Sequence, residues 1–157
     1  MATAAAATAT SHWTELFGDE LVTADGPVAT RTLLADAEVV GVYFSAHWCP
    51  PCRVLTPELS TAYEELREAH GTRVELVFVS SDHEKAQFDA YFAEMPFAAL
   101  PFEQRARKQA LSERFRVPCV PTLVFLDAHG DVVTRDGEAV VRNAAGDMAE
   151  LWTYLTT

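Results

Sequence analysis

Cys49 and Cys52, separated by two prolines, are the residues of this chain best suited to chemistry. A pair at this spacing can close a small disulfide and reopen it, moving two electrons each time. The thiolate is the reactive form, so the leading cysteine needs surroundings that favour negative charge. The pair follows Val39 to Phe44, an apolar and β-prone stretch, and precedes a helical pattern over Arg53 to Glu68. Cys49 therefore falls at a helix N-terminus, where unpaired N–H groups and the positive dipole end favour a thiolate. Cys52 lies one turn further in, placed to resolve a mixed disulfide made by Cys49. Pro50 and Pro51 suit the first helical positions, where a missing N–H costs little, and they stiffen the pair. Zinc sites use the same cysteine spacing but need about four ligands. Cys119 and five scattered histidines are poor candidates for the rest.

The elements around the pair read as an α/β chain. Val39 to Phe44 is a continuous apolar run too short for a helix, which predicts a buried central strand. Val54, Leu55, Leu59, Ala62, Tyr63 and Leu66 recur at helical spacing, Pro57 predicts a kink, and Gly71 marks the stop. Val74 to Val79 is a second apolar strand, so strand, helix and strand form a parallel βαβ unit. A hairpin is expected within Trp13 to Leu34, turning at Asp25-Gly26. Helices are expected over Glu84 to Glu94, Glu103 to Phe115 and Ala149 to Leu155, with an apolar loop from Met95 to Phe102. Leu123 to Leu126 and Asp131 to Thr134 form a second hairpin around Asp127 to Gly130. Asp82 follows a parallel strand at the edge where α/β proteins bind ligands, or else caps the next helix with Lys85 at N3.

With 157 residues, 49% of them hydrophobic, the chain can build a core without disulfide staples. Its net charge of −11 repels phosphate backbones, which argues against nucleic acid. No apolar run is long enough for a membrane span. Residues 1–11 read as a disordered tail, and Met1 to Thr10 lack the basic region of a signal peptide. Residues 12–157 read as one domain, and a reducing cytoplasm is the expected location.

Several motifs in order carry a family resemblance. The strand, Trp48-Cys49-Pro50-Pro51-Cys52, Pro57 and the later Val120-Pro121-Thr122 together resemble the thioredoxin fold. That resemblance implies a central mixed β-sheet flanked by helices, here with an N-terminal β-hairpin and an inserted helix-loop around Glu84 to Phe102. It implies that Pro121 is cis and lies against the disulfide, and that Val120 pairs main-chain groups with the substrate. Trp48, Pro50, Pro51, Val120 and Pro121 would then frame the substrate, with no metal or organic cofactor.

A narrower likeness covers residues 15 to 153. Phe44-Ser45-Ala46-His47-Trp48 before the cysteines, Arg53, Thr56-Pro57, Val77 to Asp82, Phe88, Tyr91-Phe92 and Met95-Pro96-Phe97 resemble the tryparedoxin and nucleoredoxin branch. The resemblance implies a reductase of protein disulfides. Its clients would be disulfide-containing proteins such as peroxidases, and its donor a dithiol of the trypanothione type or a thioredoxin-reductase-type enzyme. The alternative it implies is a redox-gated binding or regulatory protein of nucleoredoxin type with little turnover.

Departures from the family pattern are informative. Thioredoxins carry a buried acid where this chain has Tyr43, which leaves the proton acceptor for Cys52 unassigned. Phe97 replaces a common Trp, either on the substrate rim or as an exchanged core aromatic. Ser80-Ser81-Asp82 is more nucleoredoxin-like than tryparedoxin-like. His47 and Arg53 carry charge beside the pair, in support of a thiolate or as solvated positions. Cys119, two residues before Pro121, is either a small buried side chain or an accessory thiol at the rim. An accessible Cys119 would link the expected monomer into a disulfide dimer.

Overall fold

The structure is a computed structural model, and it describes residues 12–157. The expected tail over residues 1–11 lies outside the described residues. Residues 12–17 are helical (α1). There follow β1 (Glu20–Thr23), β2 (Gly26–Ala29), α2 (Thr30–Leu33), β3 (Val39–Ser45) and α3 (Pro50–His70). Beyond the short 3-10 turn Gly71–Arg73 come β4 (Val74–Ser80), α4 (Lys85–Phe92), β5 (Ala98–Ala99) and α5 (Arg105–Arg114). The chain closes with β6 (Thr122–Asp127), β7 (Val132–Thr134), α6 (Gly137–Ala144) and α7 (Met148–Thr156).

All seven strands join one mixed sheet in the order β2-β1-β5-β4-β3-β6-β7. β3 pairs parallel with β4, as the βαβ unit requires, and antiparallel with β6, while β6 and β7 form the second hairpin. Every residue of β3 and β4 is buried, which is why both read as apolar runs rather than as alternations. The run in β4 is broken only by Glu75, whose carboxylate accepts from the Tyr63 hydroxyl (2.6 Å) and from Arg67 (3.2 Å). Alternate side chains serve two cores. Val39, Tyr43, Phe78, Leu123 and Phe125 pack under α3, α4, α6 and α7. Val40, Val42, Phe44, Val77 and Val79 pack under α1, α2 and α5. Gly41 leaves room for the side chain of its neighbour across the β3–β4 pairing, since a Cβ there would lie 2.2 Å from Leu76 Cδ2. The sheet ends in β2, which contains Pro27, and in the three-residue β7. Among the described residues, no helix is long and apolar enough to cross a membrane.

The observed elements correct the sequence reading at three places. The first hairpin turns at Ala24-Asp25, one residue earlier than expected, and Gly26 (φ 110°) already begins β2. The expected apolar loop after Met95 contributes a strand, β5, bridging β1 and β4. Two alanines carry no strand signal; their pairing is set by neighbours distant in sequence. The helices α1, α2 and α6 have no expected counterparts, the stretch from Trp13 to Leu34 reading as a hairpin alone. As expected, α3 holds Pro57 within its length, and the carbonyl left without a helical N–H is that of Arg53, an exposed residue.

Candidate active site

β3 delivers the chain to the carboxyl edge of the sheet, and α3 begins five residues later. Cys49 is the N-cap of α3, with extended φ and ψ of −97° and 110°, and Pro50 and Pro51 fill the first helical positions. The capping acceptor is the sulfur itself: the Cys52 backbone N–H donates to Cys49 Sγ over 3.4 Å. A side chain that normally supplies oxygen at an N-cap is here a thiol, so the helix end acts directly on the reactive atom. Cys49 retains 5% of its surface, whereas Cys52 is fully buried. Burial pushes the Cys52 thiol up to about 11, and its hydrogen bond with Cys49 adds to the rise. Cys52 is therefore held as a thiol at neutral pH.

The opposite wall comes from the segment before β6. The Val120-Pro121 peptide is cis, as the resemblance implied. The Cys49 thiol donates to the Val120 carbonyl over 3.8 Å, and Val120 packs with Ala46, Cys49 and Cys52. A groove of about 410 Å³ runs from Pro121 and Thr122 to Arg135, Asp136 and Arg142. Cys119 is exposed. Of the two readings of Cys119, the buried one is thereby overturned.

A rim of the site is built from the turn after β4. Trp48 is 47% exposed; its indole N–H donates to the Ser81 carbonyl over 3.1 Å, and its ring stacks on His83 at 5.7 Å. Asp82 accepts from the His47 backbone N–H (2.8 Å) and from the Ser80 hydroxyl (2.7 Å). Asp82 is thus not the cap of α4, whose N-cap is Glu84 with no side-chain bond. A buried carboxylate gains more from two donors beside the site than from one exposed helix end. Phe97 is buried edge-on to Tyr43 and Tyr63, a core aromatic rather than part of the rim. Arg53 is exposed, and the half-buried His47 ring lies 5.6 Å from that of Tyr91.

Beneath Cys52, where an acid was missing from the sequence, there is a string of buried hydroxyls. Tyr43 OH lies 2.8 Å from Thr56 Oγ1, Thr56 Oγ1 lies 2.5 Å from Tyr91 OH, and Tyr91 OH lies 2.8 Å from Ser45 Oγ. Both Thr56 (2.9 Å) and Tyr43 (3.3 Å) donate to the Cys52 carbonyl. The Ser45 hydroxyl also bonds the Cys52 thiol and favours its ionised form, against the larger effect of burial. Burial likewise raises the Tyr43 and Tyr91 phenols, which stay neutral. Ser45 and Thr56 belong to the motifs of the family resemblance, but the sequence reading gave them no role at the site; their trace is a hydroxyl ending a buried strand and another one helical turn past Cys52. Among the described residues, no three His, Cys, Asp or Glu side chains are gathered as a metal would need.

A seven-stranded mixed sheet with a Cys-x-x-Cys pair at the first turn of its crossover helix, facing a cis-proline, defines a protein of the thioredoxin-like oxidoreductase class. The chain belongs to the thioredoxin-like family, which residues 36–132 match. It is 47% identical to nucleoredoxin from Homo sapiens over 104 residues, 66% of this chain and 24% of that protein. The chain thus spans about a quarter of the length of the curated relatives it matches. Among solved structures it is similar to native tryparedoxin I from Crithidia fasciculata, with a TM-score of 0.77 and 38% identity over 88% of this chain and 94% of that one. Tryparedoxin II complexed with glutathionylspermidine is similar at a TM-score of 0.77 and 30% identity, covering 87% and 93%.

Proposed function

We propose that this protein reduces protein disulfides through Cys49 and Cys52, acting as one domain over residues 12–157. The observation that carries the reading is the Cys49 sulfur at the N-cap of α3, accepting the Cys52 N–H, with Cys52 buried behind it. The Cys49 thiolate attacks one sulfur of a client disulfide, and the client's other sulfur leaves as a thiolate. Cys52, once deprotonated, attacks Cys49; the second client thiolate leaves and takes up a proton. The pair has then given two electrons and stands as a disulfide, which an upstream dithiol reduces. Trp48, Pro50 and Pro51 offer an apolar rim for the client, and Val120 and Pro121 offer main-chain groups.

Clients such as peroxidases fit a chain so similar to tryparedoxins. A dithiol donor of trypanothione type gains support from the glutathionylspermidine complex of tryparedoxin II, and a reductase-type donor serves the same chemistry. A reducing cytoplasm suits a pair that dithiols must recharge. The exposed Cys119 supports linkage of two monomers by a disulfide under oxidation.

Insulin reduction with dithiothreitol as donor tests the reading. Turnover by the wild type, lost in Cys49→Ser, supports it. Cys52→Ser is expected to accumulate mixed disulfides with discrete proteins in extract. A second reading, a redox-gated binding protein, is favoured by the 47% identity to nucleoredoxin. Negligible wild-type turnover together with tight partner capture selects that one.

A further inference from the structure

Arg105 is a cation at the first position of α5, the helix end whose dipole disfavours positive charge. It is also half-buried, and burial lowers its pKa against the pull of Asp82 and Glu103. Such a placement costs stability unless specific partners offset it. The partners are two carbonyls and a ring. Nε donates to the Phe102 carbonyl over 2.5 Å, and the guanidinium lies 4.2 Å from the Phe102 ring centroid. Nη1 crosses to β4 and donates to the Ser80 carbonyl over 2.8 Å.

Ser80 opens the turn that touches the active-site segment four times. The Ser81 N–H donates to the Ser45 carbonyl (2.8 Å), Asp82 accepts the His47 N–H, Ser81 accepts the Trp48 indole, and His83 stacks on that indole. Within the turn, the Ser80 hydroxyl donates to Asp82 and accepts the Asp82 N–H (2.9 Å). His47 and Trp48 immediately precede Cys49. Arg105 thus holds the main chain at Ser80, and the turn that starts there holds His47 through Asp82 and Trp48 through the Ser81 carbonyl.

From this geometry we infer that Arg105 is a positioning residue, holding the Ser80–His83 turn so that Trp48 and the segment before Cys49 keep their place. This rests on the proposed reduction of protein disulfides at the same site. The planar fork of arginine meets Phe102 and Ser80 together and stacks on the ring, which a lysine cannot reproduce. Arg105 touches neither cysteine; its effect reaches the client through the rim.

The test compares wild type with Arg105→Met and Arg105→Lys. Three measurements are made: amide hydrogen exchange by NMR, insulin reduction, and reduction of dithiobisnitrobenzoate, a small disulfide that does not need the rim. In Arg105→Met, exchange of the His47 N–H and Trp48 indole N–H is expected to speed up, with the Val42 amide in β3 unchanged. The insulin KM is expected to rise about tenfold, in line with loss of one charge-assisted hydrogen bond. The rate with the small disulfide should stay near wild type, and Arg105→Lys should recover only part of the KM. Unchanged exchange at His47 and Trp48, or an unchanged insulin KM, in a folded variant overturns the inference. So does equal acceleration at Val42, or failure of both variants to fold, because Arg105 would then support the whole sheet. A wild type inert toward insulin defeats the proposed function instead and leaves the exchange comparison standing.

Discussion

The Cys49 thiol donates to the carbonyl oxygen of Val120, 3.8 Å away, at the cis peptide that joins Val120 to Pro121. The nucleophile and the main chain expected to receive the client are thus neighbours. Anything that places charge at position 120 acts directly on the sulfur.

Val120→Asp tests that proximity. A carboxylate beside Cys49 disfavours a second negative charge. In a Cys52→Ala, Cys119→Ser background, alkylation of Cys49 by iodoacetamide at neutral pH is expected to slow, because the added carboxylate disfavours the thiolate that reacts. Val120→Thr should react as the parent does. Equal rates for Asp and Val would mean that the two groups do not meet in solution.

Cys52 makes the reduced protein alkali-sensitive. Its folded thiol titrates at about 11, above the ordinary cysteine range. Below that range both folded and unfolded chains carry the proton, and the full contribution to stability is present. As pH rises past about 8.5 the unfolded chain ionises first, and stability drains until the folded thiol titrates too. Urea unfolding at pH 8 and pH 9.5 should show the wild type losing on the order of 1 kcal/mol more than Cys52→Ala. Parallel losses in the two proteins would contradict the buried neutral thiol.

Tyr91→Phe cuts the hydroxyl string at its middle. Ser45 and Thr56 then each lose a partner while remaining buried. The expected cost is about 1–2 kcal/mol in the urea unfolding of the reduced protein, with the far-UV spectrum unchanged. A variant as stable as wild type would show that these bonds contribute nothing net.

Cys119 is exposed and two residues from Pro121. Mild oxidation followed by a non-reducing gel should give a dimer band that Cys119→Ser lacks. If the band persists in that variant, the linkage runs through another thiol.

The sequence reading succeeded where a local signal coincided with its structural cause. β3 and β4 announce themselves as apolar runs because both faces are covered, and α3 has prolines at its start and Gly71 (φ 59°) at its end. The cysteine pair was legible for the same reason, since its chemistry depends on that local helix end. β5 was not legible, because Ala98 and Ala99 become a strand only by pairing with β1 and β4. Asp82 allowed two readings, a residue at the sheet's ligand-binding edge or a helix cap, and sequence could not choose between them because its actual donors lie on Ser80 and, far back in the chain, on His47. The hydroxyl string was equally hidden, being assembled from β3, α3 and α4, none of which reveals it alone.

The two ends of the sheet set how copies of this protein can meet. Pro27 removes one N–H from β2, and β7 offers only three residues, so neither gives a second chain a long backbone template. Fibril-like growth by strand addition is thereby discouraged even at high concentration. Pairs linked through Cys119 on oxidation should therefore be held by sulfur alone, and dissolve back to single chains once reductant is added.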